Sequence, residues 1–267
     1  MPLAVCATPI GNLDDVTLRV LEELRNADVV LCEDTRHTRG LLERHGIQAR
    51  LLSYHEHNEA KRTAELLPRL AAGERVALVS DAGMPGISDP GARLVDAALE
   101  AGVAVTVLPG PSAVETALVA SGLARERFQF LGFLPRGEQA LAALWRELGA
   151  SQHPAVAFES PQRLPTTLRS LAGADPEWTV AVCRELTKRF EEVVRGRAAE
   201  VAERFAEAPK GEITLVLGPG PAGAPDASGA AEAVAELVAS GVSRRRAAEV
   251  ISRLTGVGRN ELYRRTL

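Results

Sequence analysis

Two α/β domains followed by a small helical extension are the fold class that this 267-residue sequence predicts. Three observations carry it. Short apolar runs alternate with amphipathic helical segments through the first half, and these runs are apolar throughout rather than at every second residue. That is the pattern of a mostly parallel sheet covered on both faces. The second half repeats the alternation less regularly, as a mixed sheet would. Last, Gly218 to Gly229 (GPGPAGAPDASG) holds no core-forming residue and reads as a linker. The division is an N-terminal domain over 1–113, a C-terminal α/β domain over 114–217, a linker over 218–229 and a basic helical extension over 230–267.

Residues 3–7 form the first apolar run, ending at Thr8-Pro9-Ile10-Gly11-Asn12. Asp15 is then placed to cap a helix with Leu18, Leu21 and Leu24 on one face. Val29 to Cys32 is a second strand, closed by Glu33-Asp34-Thr35, and the helix after it runs to about His45 with Gly46 as its C′ residue. Leu51 to Tyr54, Val76 to Val79 and Val103 to Leu108 are further strands. Helices over Asn58–Ala71 and Pro90–Ala101 separate them. Beyond residue 113, strands are expected at Phe128–Leu131, Ala155–Phe158, Val180–Cys183 and Ile213–Leu217, with helices at Glu138–Leu148, Pro161–Leu171 and Ala198–Ala208. After the linker, Val234, Leu237 and Val238 mark one amphipathic helix, and Ala247, Val250, Ile251 and Leu254 the next.

With 46% apolar and 25% charged residues, this is the composition of a soluble globular chain. The longest stretch free of Asp, Glu, Lys and Arg is Ala101 to Val114, too short to cross a bilayer and broken by Pro109 and Pro111. The start lacks a basic segment and meets Asp14 and Asp15 early, unlike a secretory signal. Cys6, Cys32 and Cys183 are too few and too scattered for a disulfide framework or a cysteine metal site. A cytoplasmic location is expected. The net charge of −4 is uneven: Ser243 to Leu267 carries seven arginines and two glutamates, a local +5, leaving −9 for the rest. A basic tail on an acidic body suggests a nucleic-acid partner. The alternative is a solvated helix face, since arginine outnumbers lysine 28 to 3 along the whole chain.

In an open parallel sheet, ligands bind beyond the carboxyl ends of the strands. Four loops there stand out. Ser80 to Gly91 (SDAGMPGISDPG) packs three glycines and two prolines around a backbone that can lie against a ligand. Within it, Asp89-Pro90 also reads as N-cap and first residue of the next helix. Pro109-Gly110-Pro111-Ser112-Ala113 opens a helix in which Ser112 and Glu115 match a capping box. Its free N–H groups would seat a polar ligand group. Glu159-Ser160-Pro161 and Arg184-Glu185-Leu186-Thr187-Lys188 put charge directly after apolar strands. Ser160 reads as a cap rather than a nucleophile, and Glu185 with Lys188 equally as an ion pair across a turn. Gly218 to Gly223 satisfies G-x-G-x-x-G in form only, because prolines fill two variable positions and no helix opens there. His55 and His57 lack a third ligand and read as a polar or RNA-contacting loop, so no metal is expected.

Taken together, Thr8-Pro9-Ile10-Gly11-Asn12-Leu13, Glu33-Asp34-Thr35-Arg36, the Ser80–Gly91 loop, Pro109 to Ala113, Gly132-Phe133-Leu134-Pro135, Glu159-Ser160-Pro161 and Arg184 to Lys188 fall in the order of one family. The chain closely resembles the small-subunit ribosomal RNA ribose 2′-O-methyltransferases of the tetrapyrrole methylase superfamily, over essentially its whole length. Met84 stands where that family often has threonine. The resemblance implies S-adenosylmethionine held in a cleft between the two α/β domains, a homodimer, and a 16S ribosomal RNA substrate in the small subunit, methylated on a cytidine ribose of the decoding centre. By position it implies Pro9, Ile10, Asp81, Gly83, Gly86, Ser112, Ala113, Phe158, Leu186 and Thr214 as cofactor-binding residues. Small-molecule members carry G-x-G-x-G-D after the first strand, where this chain has Pro9-Ile10-Gly11-Asn12. Transfer of a methyl group to a ribose hydroxyl needs positioning and a proton acceptor. Glu33, Asp34 and Glu185, which end strands, are the candidate bases, with Lys188 as a candidate stabiliser of the developing alkoxide. Arg36, His37, Arg39 and Arg163 are candidates for RNA phosphate contacts. The competing readings are a small-molecule methylase of the same fold and a non-catalytic RNA-binding module.

Overall fold

The computed structural model describes residues 2–220, 227–255 and 257–266. In the first domain β1 (Leu3–Cys6), α1 (Leu18–Asn26), β2 (Val29–Cys32), α2 (Thr35–Arg44), β3 (Leu51–Ser53), α3 (Glu59–Ala71), β4 (Val76–Val79), α4 (Ala92–Glu100) and β5 (Val105–Leu108) follow one another. The strands form one parallel sheet in the order β3-β2-β4-β1-β5. Its two faces bury separate clusters, Leu3, Leu31, Leu66 and Leu78 on one side and Val20, Leu24, Val30 and Ala77 on the other. Burial on both faces is why β1, β2 and β4 at the centre of the sheet are apolar at every position.

The second domain comprises α5 (Ala113–Ala120), β6 (Gln129–Phe133), α6 (Glu138–Gly149), β7 (Ala155–Glu159), α7 (Leu164–Ala174), β8 (Thr179–Arg184), β9 (Glu192–Arg197), α8 (Ala198–Arg204) and β10 (Ile213–Leu217). Its sheet runs β6-β7-β10-β8-β9 and is mixed: β6 and β7 are parallel and every other pairing is antiparallel. One face packs on α6, α7 and α8 through Trp145, Leu164, Leu215 and Val201. The other carries Val156, Val216, Ala181 and Cys183 against α5, and Ile10 of the first domain joins that cluster.

Several boundaries differ from the sequence reading, each for a local reason. The α1 helix is capped by Thr17, whose hydroxyl accepts the Val20 N–H at 3.3 Å, while Asn12, not Asp15, organises the short 3-10 turn before it. Gly91, not Asp89, stands at the N-cap of α4. The α7 helix begins at Leu164, one turn beyond Pro161. Strand β9 (EVVRGR) was not anticipated, since an edge strand with one solvated side keeps polar residues that apolar runs do not flag.

Half of the expected linker, residues 221–226, lies outside the described residues. Its first residues are part of the second domain, because the Gly218 and Gly220 N–H groups donate to Thr179 and Ser151 carbonyls at 2.8 Å. Beyond it α9 (Ala227–Ala239), α10 (Arg244–Thr255) and α11 (Arg259–Arg265) enclose a core of their own, with Val234, Ala247 and Leu262 at its centre. No helix among the described residues is long and apolar enough to cross a membrane.

Candidate active site

A cavity of about 630 Å³ lies between the two sheets, and its walls are built differently. Loops at the carboxyl ends of β1, β4 and β5 supply Ile10, Gly83, Asp89 and Ser112, and the first residue of α5 supplies Ala113. A two-way bridge rivets two of these loops: the Thr8 N–H donates to the Gly83 carbonyl at 2.8 Å and the Gly83 N–H returns to Thr8 at 3.1 Å. The Thr8 hydroxyl adds a bond to the Ser80 carbonyl at 3.0 Å. Between them the chain enters the left-handed region at Gly83, Gly86, Ser88 and Gly91. At Gly91 (φ +143°) a Cβ would sit 3.0 Å from Leu78 Cδ2 and 3.2 Å from the Gly86 nitrogen, so only glycine fits. The second domain supplies a sheet face. Phe158, Thr214 and Cys183 are cross-strand neighbours on β7, β10 and β8, and all three line the cavity.

Leu186 reaches the cavity from a strained turn, since Glu185 (φ +52°) and Thr187 (φ +62°) on either side of it are both left-handed. The same turn ties the domains together: the Asn12 N–H donates to the Thr187 hydroxyl at 3.0 Å. A Cβ on Gly11 would collide with Thr187 and Lys188 side chains. The position after β1 therefore needs a glycine for close domain packing.

Of the ten residues assigned to the cofactor, Ile10, Gly83, Ser112, Ala113, Phe158, Leu186 and Thr214 line this cavity. Pro9, Asp81 and Gly86 stand behind it. Pro9 is buried, Asp81 accepts the Asp34 N–H at 3.1 Å, and Gly86 (φ +83°) turns the loop. The capping box read at Ser112 and Glu115 is not formed: Ser112 makes no side-chain cap bond, and both residues line the cavity instead. The start of α5 thus keeps first-turn N–H groups for a ligand.

The candidate bases separate sharply. Asp34 is the cap of α2, its carboxylate accepting the Arg36 backbone N–H at 2.8 Å and gripping the guanidinium at 3.1 and 2.7 Å. That guanidinium holds the carboxyl well below the usual carboxylate range. Glu185 accepts the Glu212 N–H at 3.0 Å and the Lys188 ammonium at 3.0 Å, and is lowered by both. Lys188 also reaches Glu212 at 3.0 Å; burial opposes its charge, yet the two carboxylates hold it above its ordinary value. Asp34 is thus a helix cap and Glu185 and Lys188 an ion pair, the readings the sequence equally allowed, and each charge already has a partner. Glu33 is different. Partial desolvation and the nearby Asp81, Asp34 and Glu56 carboxylates raise it, with His55 working the other way.

One carboxylate was missed as a candidate. Asp89 lines the cavity and is pushed up to about 6 by burial and by the charges of Glu33 and Asp81, against a Ser80 hydrogen bond. Reading Asp89-Pro90 as a helix start concealed it. Such a shift in a cleft is what a proton acceptor working near neutral pH needs.

The four RNA candidates also divide. Arg36, His37 and Arg39 are exposed on α2. Arg163 is held in place: its guanidinium donates to the Leu134 and Pro135 carbonyls at 3.0 and 2.6 Å and pairs with the fully buried Glu159 at 3.3 Å. It braces the ends of β6 and β7. No group of three or more potential metal ligands occurs among the described residues.

The fold and cleft are those of a methylase, and the chain belongs to the tetrapyrrole (corrin/porphyrin) methylases, whose family model matches residues 2–202. Within that family it is 45% identical to the ribosomal RNA small subunit methyltransferase I of Mesorhizobium japonicum, over 99% of this chain and 91% of that protein. The Thermotoga maritima protein of the same name is 45% identical over 80% of this chain and 97% of its own length, so it is shorter than this chain by a considerable segment. Among solved structures, a uroporphyrin-III C-methyltransferase from Thermus thermophilus complexed with S-adenosyl homocysteine shares the fold, with a TM-score of 0.56, 22% identity and coverage of 81% of this chain and 96% of that one.

Proposed function

We propose that the protein transfers a methyl group from S-adenosylmethionine to the 2′-hydroxyl of a cytidine ribose in 16S ribosomal RNA, within the decoding centre of the small subunit. The observation that carries this reading is the 45% identity over 99% of the chain to a relative named for small-subunit ribosomal RNA methylation. The cleft suits the cofactor: its first wall presents backbone from glycine-rich loops, its second an apolar sheet face, and the α5 N-terminus offers N–H groups to a carboxylate. Gly83, Ser112 and Ala113 on one side and Phe158, Leu186 and Thr214 on the other would hold it, with Pro9, Asp81 and Gly86 shaping the loops behind.

Bound there, S-adenosylmethionine supplies an electrophilic methyl group. What falls to the chain is orientation and proton transfer. Holding the hydroxyl in line is worth roughly 7–11 kcal/mol of barrier at most. Asp89, ionised above about pH 6, accepts the hydroxyl proton at a carboxylate oxygen; burial, with Glu33 beside it, sets that affinity. Arg36, His37, Arg39 and the arginines of α10 and α11 contact phosphates. The protein works in the cytoplasm, where the ribosomes are, and as a homodimer; exposed Leu99, Val107 and Val119 are apolar surface such an interface would cover. Sedimentation at micromolar concentration reads that state.

The deciding test is transfer from radiolabelled S-adenosylmethionine to small subunits isolated from a strain lacking this gene, with nuclease mapping. Label at one alkali-resistant ribose is expected. Cofactor binding without incorporation into subunits or free RNA would move the assignment to a small-molecule acceptor.

A further inference from the structure

The chain has six phenylalanines, and four of them, Phe128, Phe130, Phe133 and Phe158, line the cavity. Their arrangement depends on a defect in β6. On a regular strand, residues 130 and 133 point to opposite faces. Here Phe130 pairs with Val156 and Phe133 with Phe158, so three steps along β6 match two along β7. This bulge, with Gly132 left-handed at φ +64°, brings Phe133 round to the face of Phe130. Both rings then stand edge-to-face with Phe158, at centroid distances of 5.2 and 5.5 Å. Gly132 lies opposite Ser88 of the first domain, where a Cβ would stand 3.7 Å from the Ser88 hydroxyl, which puts the bulge at the cleft mouth.

Phe133 is 62% exposed and Phe128 38%. Neither ring is being used to fill the core. Exposed arginines flank the strand, Arg127 at its start and Arg136 just beyond its end. Solvent-facing aromatic rings between cations are how proteins hold unstacked bases and their phosphates. A ribose inside a folded RNA reaches a cavity only if its nucleotide leaves the stack, and the displaced base then needs a new π-face.

We propose that Phe133, turned into the cleft by the β6 bulge and supported by Phe158 behind it, is the stacking platform for the nucleobase of the nucleotide being methylated. This rests on the RNA reading above and adds to it a specificity-determining subsite. Phe133 acts on the base, not on the cofactor.

The experiment compares Phe133→Ala, Phe133→Leu and Phe133→Trp with the unaltered protein, reading methyl transfer to unmethylated small subunits and S-adenosylmethionine affinity by calorimetry. Stacking on an aromatic ring is worth enough that kcat/KM for RNA should fall roughly tenfold or more in the Ala and Leu variants. Tryptophan should restore it, and cofactor affinity should stay within about twofold in all three. Because the ring is exposed, the substitutions remove no core packing. Normal transfer by Phe133→Leu overturns the platform while leaving the RNA reading intact. Weakened cofactor binding overturns it by giving the ring to the adenine. No transfer to RNA by the unaltered protein overturns both together.

Discussion

The two walls of the cleft reach the same cavity by different physical routes. In the first domain all five strands are parallel, so their carboxyl ends share one edge and the loops at that edge do the binding, mostly with backbone. In the second domain the strands run both ways, and the sheet turns a face of side chains to the ligand, joined by the turns after β7 and β8. The backbone wall is therefore sensitive to φ and to any added Cβ. The side-chain wall is sensitive to volume and to ring orientation. Asp89 is the exception, an acidic side chain of the backbone wall whose carboxyl is pushed up to about 6.

That exception is the place where the comparison breaks most visibly. Asp89→Asn should lower kcat by about 10²–10⁴-fold with cofactor affinity nearly unchanged. In the unaltered protein the rate should rise with pH through about 6 as Asp89 ionises, and the variant should lose that limb. Stability should move the opposite way. A raised carboxyl keeps its proton in the folded state after the unfolded chain has lost it, so stability falls as pH rises from the ordinary carboxylate range to about 6, and Asp89→Asn should flatten that slope in thermal melts at graded pH.

The brace of the side-chain wall gives the next effect. Arg163→Ala leaves the buried Glu159 carboxylate with only Thr167 and the Ser160 N–H, and should cost about 3 kcal/mol in denaturant unfolding. The salt dependence of RNA binding should not change; a shallower slope would return Arg163 to the phosphate contacts.

A direct contrast of the walls comes from one small substitution in each. Gly91→Ala forces a left-handed residue against Leu78 and the Gly86 backbone, and should weaken S-adenosylmethionine roughly tenfold in calorimetry. Phe158→Leu keeps an apolar face and should weaken it only a few-fold. Equal losses would mean that backbone and side-chain walls contribute alike. The smallest effect lies outside the cavity, where Arg39→Ala should reduce the slope of log affinity against log salt by about 1.

Much of the fold was legible because its signals are local. Continuous apolar runs marked the parallel strands, Gly46 marked the end of α2, and the Gly/Pro loops marked the edge where the cavity lies. Strand β9 was not legible because an edge strand looks polar. For the site, residue type located the loops but not the state of each charge. Asp34, Glu185 and Asp89 all follow apolar runs or close Gly-rich loops, yet Arg36 satisfies the first and Lys188 with the Glu212 N–H the second. Glu33 and Asp81 crowd the third. Nothing near Arg163 in sequence marks the hold that Glu159 and two carbonyls of the β6–α6 loop have on it.

The amino-acid order by itself determined the alternation of strands and helices, the glycine positions where the backbone must turn left-handed, and the family, since these depend on near neighbours and on motifs read in sequence. Only the tertiary structure decided which carboxylates crowd together at the cleft and which phenylalanines line it. A charge takes its pKa from groups brought beside it by folding, and Phe133 owes its direction to how β6 registers on β7.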